Sequence, residues 1–136
     1  MKATGGCLCG AVRYEIDGDT IFQGHCHCVD CQKVTGTGHI SVVAVPSSAL
    51  KVTGETTSFA VTADSGQPYI RHFCPRCGSV VYGEPTAMQG VNTVPAGTLD
   101  DTSLFVPEMV VYTKSRPAWD RIDSGLPEFE AMPPRG

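Results

Sequence analysis

The stretch Cys74-Pro75-Arg76-Cys77-Gly78 has the spacing of one half of a zinc site. A C-x-x-C pair needs a tight turn to bring both sulfur atoms to one ion. Pro75 presets a backbone dihedral angle of such a turn, and Gly78 tolerates a conformation that other residues resist. Because a closed tetrahedral site needs a second cysteine pair, the stretch predicts that a distant part of the chain folds onto it.

The other five of the seven cysteines lie upstream, in Cys7-Leu8-Cys9 and in Cys26-His27-Cys28-Val29-Asp30-Cys31. In a C-x-C pair on a strand, both sulfur atoms point to the same face. Spacing alone does not decide whether Cys7 and Cys9, or two of the three later cysteines, complete the four-ligand site. Three ligands within one short stretch favour a separate corner with an open fourth position. A structural zinc site contributes on the order of 10 kcal/mol to folding.

Composition predicts one turn-rich β domain over residues 1–136. Charged residues make up 18% of the chain, and it contains 15 glycines and 10 prolines. The net charge of −4 argues against a nucleic-acid partner, which would need a basic patch. No apolar run has the length of a signal peptide or a membrane span, so we expect no membrane association and a cytoplasmic location.

A reducing compartment favours metal ligation over structural disulfides for clustered cysteines. The odd count of seven also leaves one cysteine unpaired in any full disulfide scheme. A redox dithiol is the weaker alternative. We therefore expect metal, with zinc preferred over iron–sulfur because one closed and one open thiolate site match the structural and catalytic zinc pattern.

Alternating apolar and polar residues, bounded by turn signals, predict nine strands. They lie near 10–16, 20–26, 39–45, 50–53, 56–62, 68–73, 79–83, 91–98 and 106–113. A short helix is expected to start after Cys28 and to run to about Val34, and hairpin turns are expected at Asp17-Gly18-Asp19 and at Asp64-Ser65-Gly66-Gln67. Residues 114–136 are rich in proline and predict an irregular C-terminal strap that packs on the domain.

The sequence resembles the glutathione-dependent formaldehyde-activating family, also called the CENP-V/GFA domain. The resemblance covers nearly the whole chain and includes every cysteine. It rests on residues 6–15, 25–36, 71–79, 97–100 and 116–119. The resemblance implies a zinc-binding β-tent of several small coiled antiparallel sheets.

The resemblance also assigns the cysteines and an activity. It implies that Cys7, Cys9, Cys74 and Cys77 hold a structural zinc, and that Cys26, Cys28 and Cys31 hold a catalytic zinc, giving two Zn²⁺ per chain. The implied activity is that of a carbon–sulfur lyase on thiol–aldehyde adducts, as in S-(hydroxymethyl)glutathione synthase, with the substrate thiolate at the open position of the three-cysteine zinc. A non-catalytic zinc module that binds glutathione-like thiols, or an interaction domain, is the alternative.

A few other side chains near the cysteines are weaker candidates. His25 and His27 flank Cys26. They could orient the metal ligands through hydrogen bonds or take part in proton transfer, although a histidine that is only hydrogen-bonded within the fold, or exposed, is the simpler interpretation. Three cations could offset the charge of the thiolates or meet a substrate carboxylate: Lys33, Arg71 and Arg76. We expect Asp30 to accept backbone donors in its turn, and Trp119 to pack in the core or over the open zinc.

Overall fold

A computed structural model describes residues 1–122 and 125–134 and confirms the prediction of a mainly β fold. The strands are β1 Lys2–Gly6, β2 Arg13–Asp17, β3 Phe22–Cys26, β4 Ile40–Pro46, β5 Leu50–Thr53, β6 Thr57–Thr62, β7 Pro68–Phe73, β8 Val80–Pro85, β9 Val91–Pro95 and β10 Met109–Val111. One α-helix, α1, spans Val29–Thr35. Short 3₁₀ turns lie at Ser47–Ala49, Ala96–Thr98, Thr102–Leu104 and Thr113–Ser115.

The strands form two open sheets. The small sheet has the order β1-β2-β5, and the large one has the order β10-β3-β4-β9-β8-β7-β6. All strand pairings are antiparallel except that of β10 with β3. The turn at Asp64–Gln67 joins a hairpin, as predicted. The turn at residues 17–19 does not, because β2 pairs with β1 and β5 instead of β3.

The first strand was not predicted, because its sequence, Lys-Ala-Thr-Gly-Gly, has little strand propensity. Tertiary contacts explain its glycines. A Cβ atom at Gly5 would lie 2.3 Å from the hydroxyl of Tyr14 on the neighbouring strand. Tyr14 itself is buried and hydrogen-bonds Thr98 at 2.7 Å. The glycine is therefore needed for packing, and β1 is held in place by the core it covers.

The main core lies between the two sheets. It contains Val12, Tyr14 and Ile16 from the small sheet, and Val43 and Val94 from the large one. The alternation predicted for Val12, Tyr14 and Ile16 is confirmed, since these three side chains are buried and their neighbours are exposed. Cys26, at the end of β3, does not belong to this core. It lies on the opposite face of the large sheet, in a separate cluster.

The C-terminal strap runs beside β10. Phe129 donates its backbone N–H to Val110 at 2.9 Å, and its ring packs near Cys26 and Cys31. Residues 123–124 and 135–136 of the predicted strap lie outside the described residues. The structure contains no helix, in the part it describes, that is long and apolar enough to cross a membrane.

Candidate functional site

Two turns meet to form a four-cysteine cluster (Cys7, Cys9, Cys74 and Cys77). The first pair follows β1, and the second lies between β7 and β8. All four Sγ atoms lie within 4.8 Å of one another, and the Sγ of Cys9 is 3.7 Å from those of Cys7 and Cys74. Tetrahedral zinc with Zn–S bonds of about 2.3 Å places its sulfur ligands about 3.8 Å apart. The cluster therefore fits one tetrahedral metal ion.

Backbone groups in both turns stabilise these sulfur atoms. The N–H of Val12 donates to the Sγ of Cys7 at 3.2 Å, and the N–H of Arg76 points at the Sγ of Cys74 at 3.4 Å. Gly78 adopts φ 78° and donates its N–H to the carbonyl of Cys74 at 2.8 Å, as the sequence led us to expect. Despite the opposing effect of burial, the donor from Val12 lowers the pKa of the Cys7 thiol.

The Cys7–Cys9 pair was expected to lie on a strand, and this expectation is wrong. β1 ends at Gly6, and a turn carries both cysteines. Ser79, which the sequence analysis missed, joins this turn to the other one. Its hydroxyl oxygen accepts the N–H of Leu8 at 3.1 Å and lies 3.3 Å from the Sγ of Cys77. The hydrogen bond from Ser79 lowers the pKa of Cys77 to about 5.

A three-cysteine cluster (Cys26, Cys28 and Cys31) lies where β3 passes into α1. Cys26 is the last residue of β3, Cys28 is the N-cap of the helix, and Cys31 is in its first turn. The pair at 26 and 28 is therefore not contained in one strand. The three Sγ atoms lie within 4.8 Å of one another, and no fourth Cys, His, Asp or Glu ligand joins them within residues 1–122 and 125–134. These thiols could hold a metal ion and leave it one open position.

The thiols of this cluster ionise unequally. Hydrogen bonds from the Cys26 and Cys31 thiols, and one from the backbone N–H of Cys31 at 3.2 Å, lower the pKa of Cys28 to about 3. The pKa of Cys26 is raised, because the sulfur atoms of Cys28 and Cys31 beside it favour its protonated form and because it is buried. Metals are ligated by the deprotonated form of cysteine, so the Cys28 thiolate is available to a cation.

Tyr112 borders the three-cysteine cluster in an unusual backbone conformation. It has φ 57° and ψ 38°, and it is the one residue other than glycine with a positive φ in the described part of the chain. Such a conformation costs on the order of 1 kcal/mol or more and occurs often at functional sites. The side chain packs against the cluster that contains Cys26 and Cys31. Burial and the nearby Asp64 raise the pKa of its hydroxyl to about 12.

A group of polar side chains lies behind the cluster. The Nδ1 of His27 is 2.8 Å from the carbonyl of Gly38, and the Nδ1 of His39 is 2.7 Å from the Oδ2 of Asp120. His27 is fully buried, and its Nδ1 is also 3.4 Å from that carboxylate. Gly38 allows the Asp120 carboxylate to come this close, because a Cβ atom at position 38 would lie 2.1 Å from the Oδ2 of Asp120. Asp120 thus ties the C-terminal strap to the loop after α1.

The same three side chains, from His27, His39 and Asp120, are close enough to be considered as metal ligands. A carbonyl oxygen can only accept, so the Nδ1 of His27 carries the proton that donates to Gly38. Its Nε2 is buried without a partner among the described residues. A metal at Nδ1 would move the proton to this Nε2 and leave a buried N–H unpaired, which is costly. We interpret the group as a hydrogen-bonded support, in line with the structural interpretation of these histidines.

The remaining sequence candidates differ in their placement. Arg71 is buried in β7, whereas Lys33, Asp30 and Arg76 are exposed. The expectation that Trp119 packs in the core is wrong, because this residue is 74% exposed. Tyr69, which the sequence analysis did not single out, lies near the three-cysteine cluster, since the charges of Cys31 and Cys26 add to burial in raising its pKa to about 12.

A groove of about 670 Å³ lies elsewhere on the surface, next to Tyr82, Glu84 and Met88. No cysteine lines this groove. Its walls carry none of the thiol or metal-ligand chemistry found at the two clusters. The candidate chemistry of the molecule is therefore at the cysteines.

Comparisons with known proteins agree with this geometry. A protein of Halomonas elongata, provisionally named a glutathione-dependent formaldehyde-activating enzyme, is 30% identical over 91% of this chain and 83% of its own length. A protein of Emericella nidulans with the same provisional name is 34% identical over 57% of this chain, which corresponds to 40% of that protein.

The fold also has a counterpart among solved structures. The crystal structure of a Rhodobacter sphaeroides protein aligns with a TM-score of 0.59 at 17% identity, and the alignment covers 93% of this chain and 98% of that one. The sequence model described as "Glutathione-dependent formaldehyde-activating enzyme" matches residues 2–115. This match confirms the resemblance seen in the sequence, and the chain belongs to the glutathione-dependent formaldehyde-activating enzyme family.

Proposed function

We propose that this protein is a zinc-dependent carbon–sulfur lyase that joins a glutathione-like thiol to formaldehyde and also catalyses the reverse reaction. The observation that carries the proposal is the three-cysteine cluster, whose thiols converge with no fourth ligand among the described residues. Family membership supports the choice of glutathione and formaldehyde as reactants. We further propose that the chain holds two zinc ions, one in each cysteine cluster, and works in the reducing cytoplasm.

The roles of the cysteines follow from their surroundings. Cys7, Cys9, Cys74 and Cys77 would hold a closed structural site, since their four thiols complete a tetrahedron. Cys26, Cys28 and Cys31 would hold an open site. Zinc bound there would act as a Lewis acid and lower the pKa of an incoming thiol.

The proposed reaction is a thiol addition to a carbonyl group. The S–H bond of the thiol breaks and a C–S bond forms to the carbon of formaldehyde. The π electron pair of the carbonyl moves to its oxygen, and that oxygen takes up a proton. The protein would contribute mainly by holding the thiol and the aldehyde together, which converts a bimolecular step into an effectively unimolecular one.

The test is exchange NMR on ¹³C-formaldehyde mixed with glutathione, with and without the zinc-loaded protein. We expect faster exchange between hydrated formaldehyde and the S-hydroxymethyl adduct, and no acceleration with the Cys28→Ser variant at equal concentration. S-Methylglutathione, which lacks the thiol, serves as the reactant control. Equal exchange rates with wild type, with the variant and without protein would contradict the lyase activity and favour a thiol-binding module.

A further inference from the structure

Arg71 is a buried cation without an anionic partner. The residue is 8% exposed and lies in the middle of β7. No ion pair or side-chain hydrogen bond involves its guanidinium group among the described residues. Arginine is rarely buried unless it is paired. Arg13 and Arg116, by contrast, each form an ion pair with a carboxylate.

The position of Arg71 places it beside the candidate active site. The strand register puts Arg71 opposite Gly83, Gly83 opposite Thr93, and Thr93 opposite Ala44. Residues in one such row lie on the same face of a sheet, and this face is also the one that carries Cys26. The sheet curves so that Arg71 and the three-cysteine cluster come within range of each other, since the positive charge of Arg71 acts on both Cys28 and Cys31.

The guanidinium group is held in one orientation. It lies over the ring of Tyr69, with its central carbon 4.4 Å from the ring centroid. The hydroxyl of Tyr69 is hydrogen-bonded to Thr93 at 2.5 Å. The ring also lies across Gly83, where a Cβ would come within 2.8 Å of it. The donors of Arg71 are therefore fixed before a ligand arrives, which lowers the entropy cost of binding.

A guanidinium group has a planar fork of donors that matches a carboxylate in a bidentate pair. We propose that Arg71 binds a carboxylate of the thiol substrate, so that the protein selects thiols that carry a carboxylate. This inference rests on the proposed function, because the thiol of the same molecule is placed at the three-cysteine cluster. The competing role is plain charge compensation, in which Arg71 only offsets the negative charge of the thiolates.

The two roles differ in how affinity depends on the ligand. The test measures Kd by titration calorimetry on the zinc-loaded protein without formaldehyde, using glutathione and its diethyl ester. Both ligands carry the same thiol, but the ester lacks both carboxylates. We expect wild type to bind glutathione at least about tenfold more tightly than the ester, and Arg71→Met to bind the two with similar affinity. Arg71→Lys should keep part of the preference, because lysine keeps the charge without the fork.

The matched control is Arg13→Met, which removes an arginine that is exposed and already paired with Asp100. It should keep the full preference for glutathione. Zinc content and circular dichroism establish that each variant is folded, and Arg71→Lys takes the place of Arg71→Met if the latter does not fold.

The inference is overturned if Arg71→Met keeps the wild-type preference, or if it weakens both ligands by the same factor, as charge compensation predicts. It is also overturned if wild type binds glutathione and the ester equally. Because the titration contains no aldehyde, the proposed lyase activity can fail separately. If the preference for glutathione over its ester depends on Arg71 but the protein does not accelerate formaldehyde exchange, the role of Arg71 is supported and the lyase activity is contradicted.

Discussion

The two cysteine clusters use the same ligand atoms in different surroundings. The four-cysteine cluster joins two turns that are far apart in the sequence, and two of its members, Cys7 and Cys74, are part of the main core. The three-cysteine cluster comes from one short stretch and packs only against a small group of side chains near the strap. It is bordered by the strained Tyr112. The charge of Arg71, which has no ion-pair partner in the described part of the chain, also acts on it. We therefore expect the first cluster to stabilise the fold and the second to be available for chemistry.

The largest effect is expected for Cys74→Ser, which removes a ligand in the core. A structural zinc site contributes on the order of 10 kcal/mol, as much as the whole stability of a typical domain. We expect loss of zinc from the four-cysteine cluster and global unfolding, measured by circular dichroism and NMR dispersion. If the Cys74→Ser protein were folded and still held one zinc, the four-cysteine cluster would not be required for folding, and the proposed difference between the two clusters would be wrong.

Cys28→Ser should have a large effect on chemistry and a small one on folding. Zinc content should fall from about two ions to about one, because the remaining pair of thiols binds the second ion weakly. Metal analysis, together with a denaturant titration at fixed free zinc, measures both quantities. If Cys28→Ser unfolded and lost both ions, the three-cysteine cluster would be structural as well.

An intermediate effect is expected for Asp120→Asn, which tests the support behind the three-cysteine cluster. The carboxylate accepts a hydrogen bond from His39 and is largely buried. Replacing it should lower the free energy of unfolding by about 1 kcal/mol, because a neutral acceptor is weaker than a charged one. It should also speed proteolysis of the strap, as followed by mass spectrometry. Asp17→Asn, at an exposed end of β2, is the control and should change neither quantity.

Asp100→Asn should have the smallest effect. Asp100 pairs with Arg13, and hydrogen bonds from Arg13 and Thr4 lower its pKa from 3.8 to about 2. The folded state has the lower pKa, so the stabilisation is present above pH 3.8 and disappears as pH falls through about 2. Because both side chains are largely exposed, salt should screen the interaction.

The measurement for this pair compares the denaturant midpoints of wild type and Asp100→Asn at pH 7 in low and high salt. We expect a small difference that vanishes at high salt. A large difference that persisted in high salt would mean that the turn carrying Cys7 depends on this surface pair as well as on its cysteines.

Much of the fold could be predicted from local sequence. The ranges of β5 and β7 were predicted to the residue, and α1 begins directly after Cys28, as predicted. These elements have alternating patterns or clear turn signals at their ends. The Asp17-Gly18-Asp19 turn was misassigned, because a turn signal marks a change of direction but not which strands pair after it.

The residues around the site were less predictable. Asp120 lies 81 positions from His39 in the sequence, and the two meet only because the strap folds back across the loop after α1. Tyr112 has a backbone conformation that no local motif requires, since nothing in its neighbours specifies a positive φ. The partners of such residues are chosen by packing between distant segments.

The sequence by itself determined which residues are candidate metal ligands, because C-x-C and C-x-x-C spacings constrain which sulfur atoms can reach one ion. Spacing alone left the pairing of Cys7 and Cys9 open. The tertiary structure decided it geometrically, by bringing the turn after β1 to within hydrogen-bonding distance of Ser79 beside Cys77. It also decided that Arg71 is buried and has no ion-pair partner among residues 1–122 and 125–134, because strand register and sheet curvature, which depend on the whole chain, set what faces a given side chain.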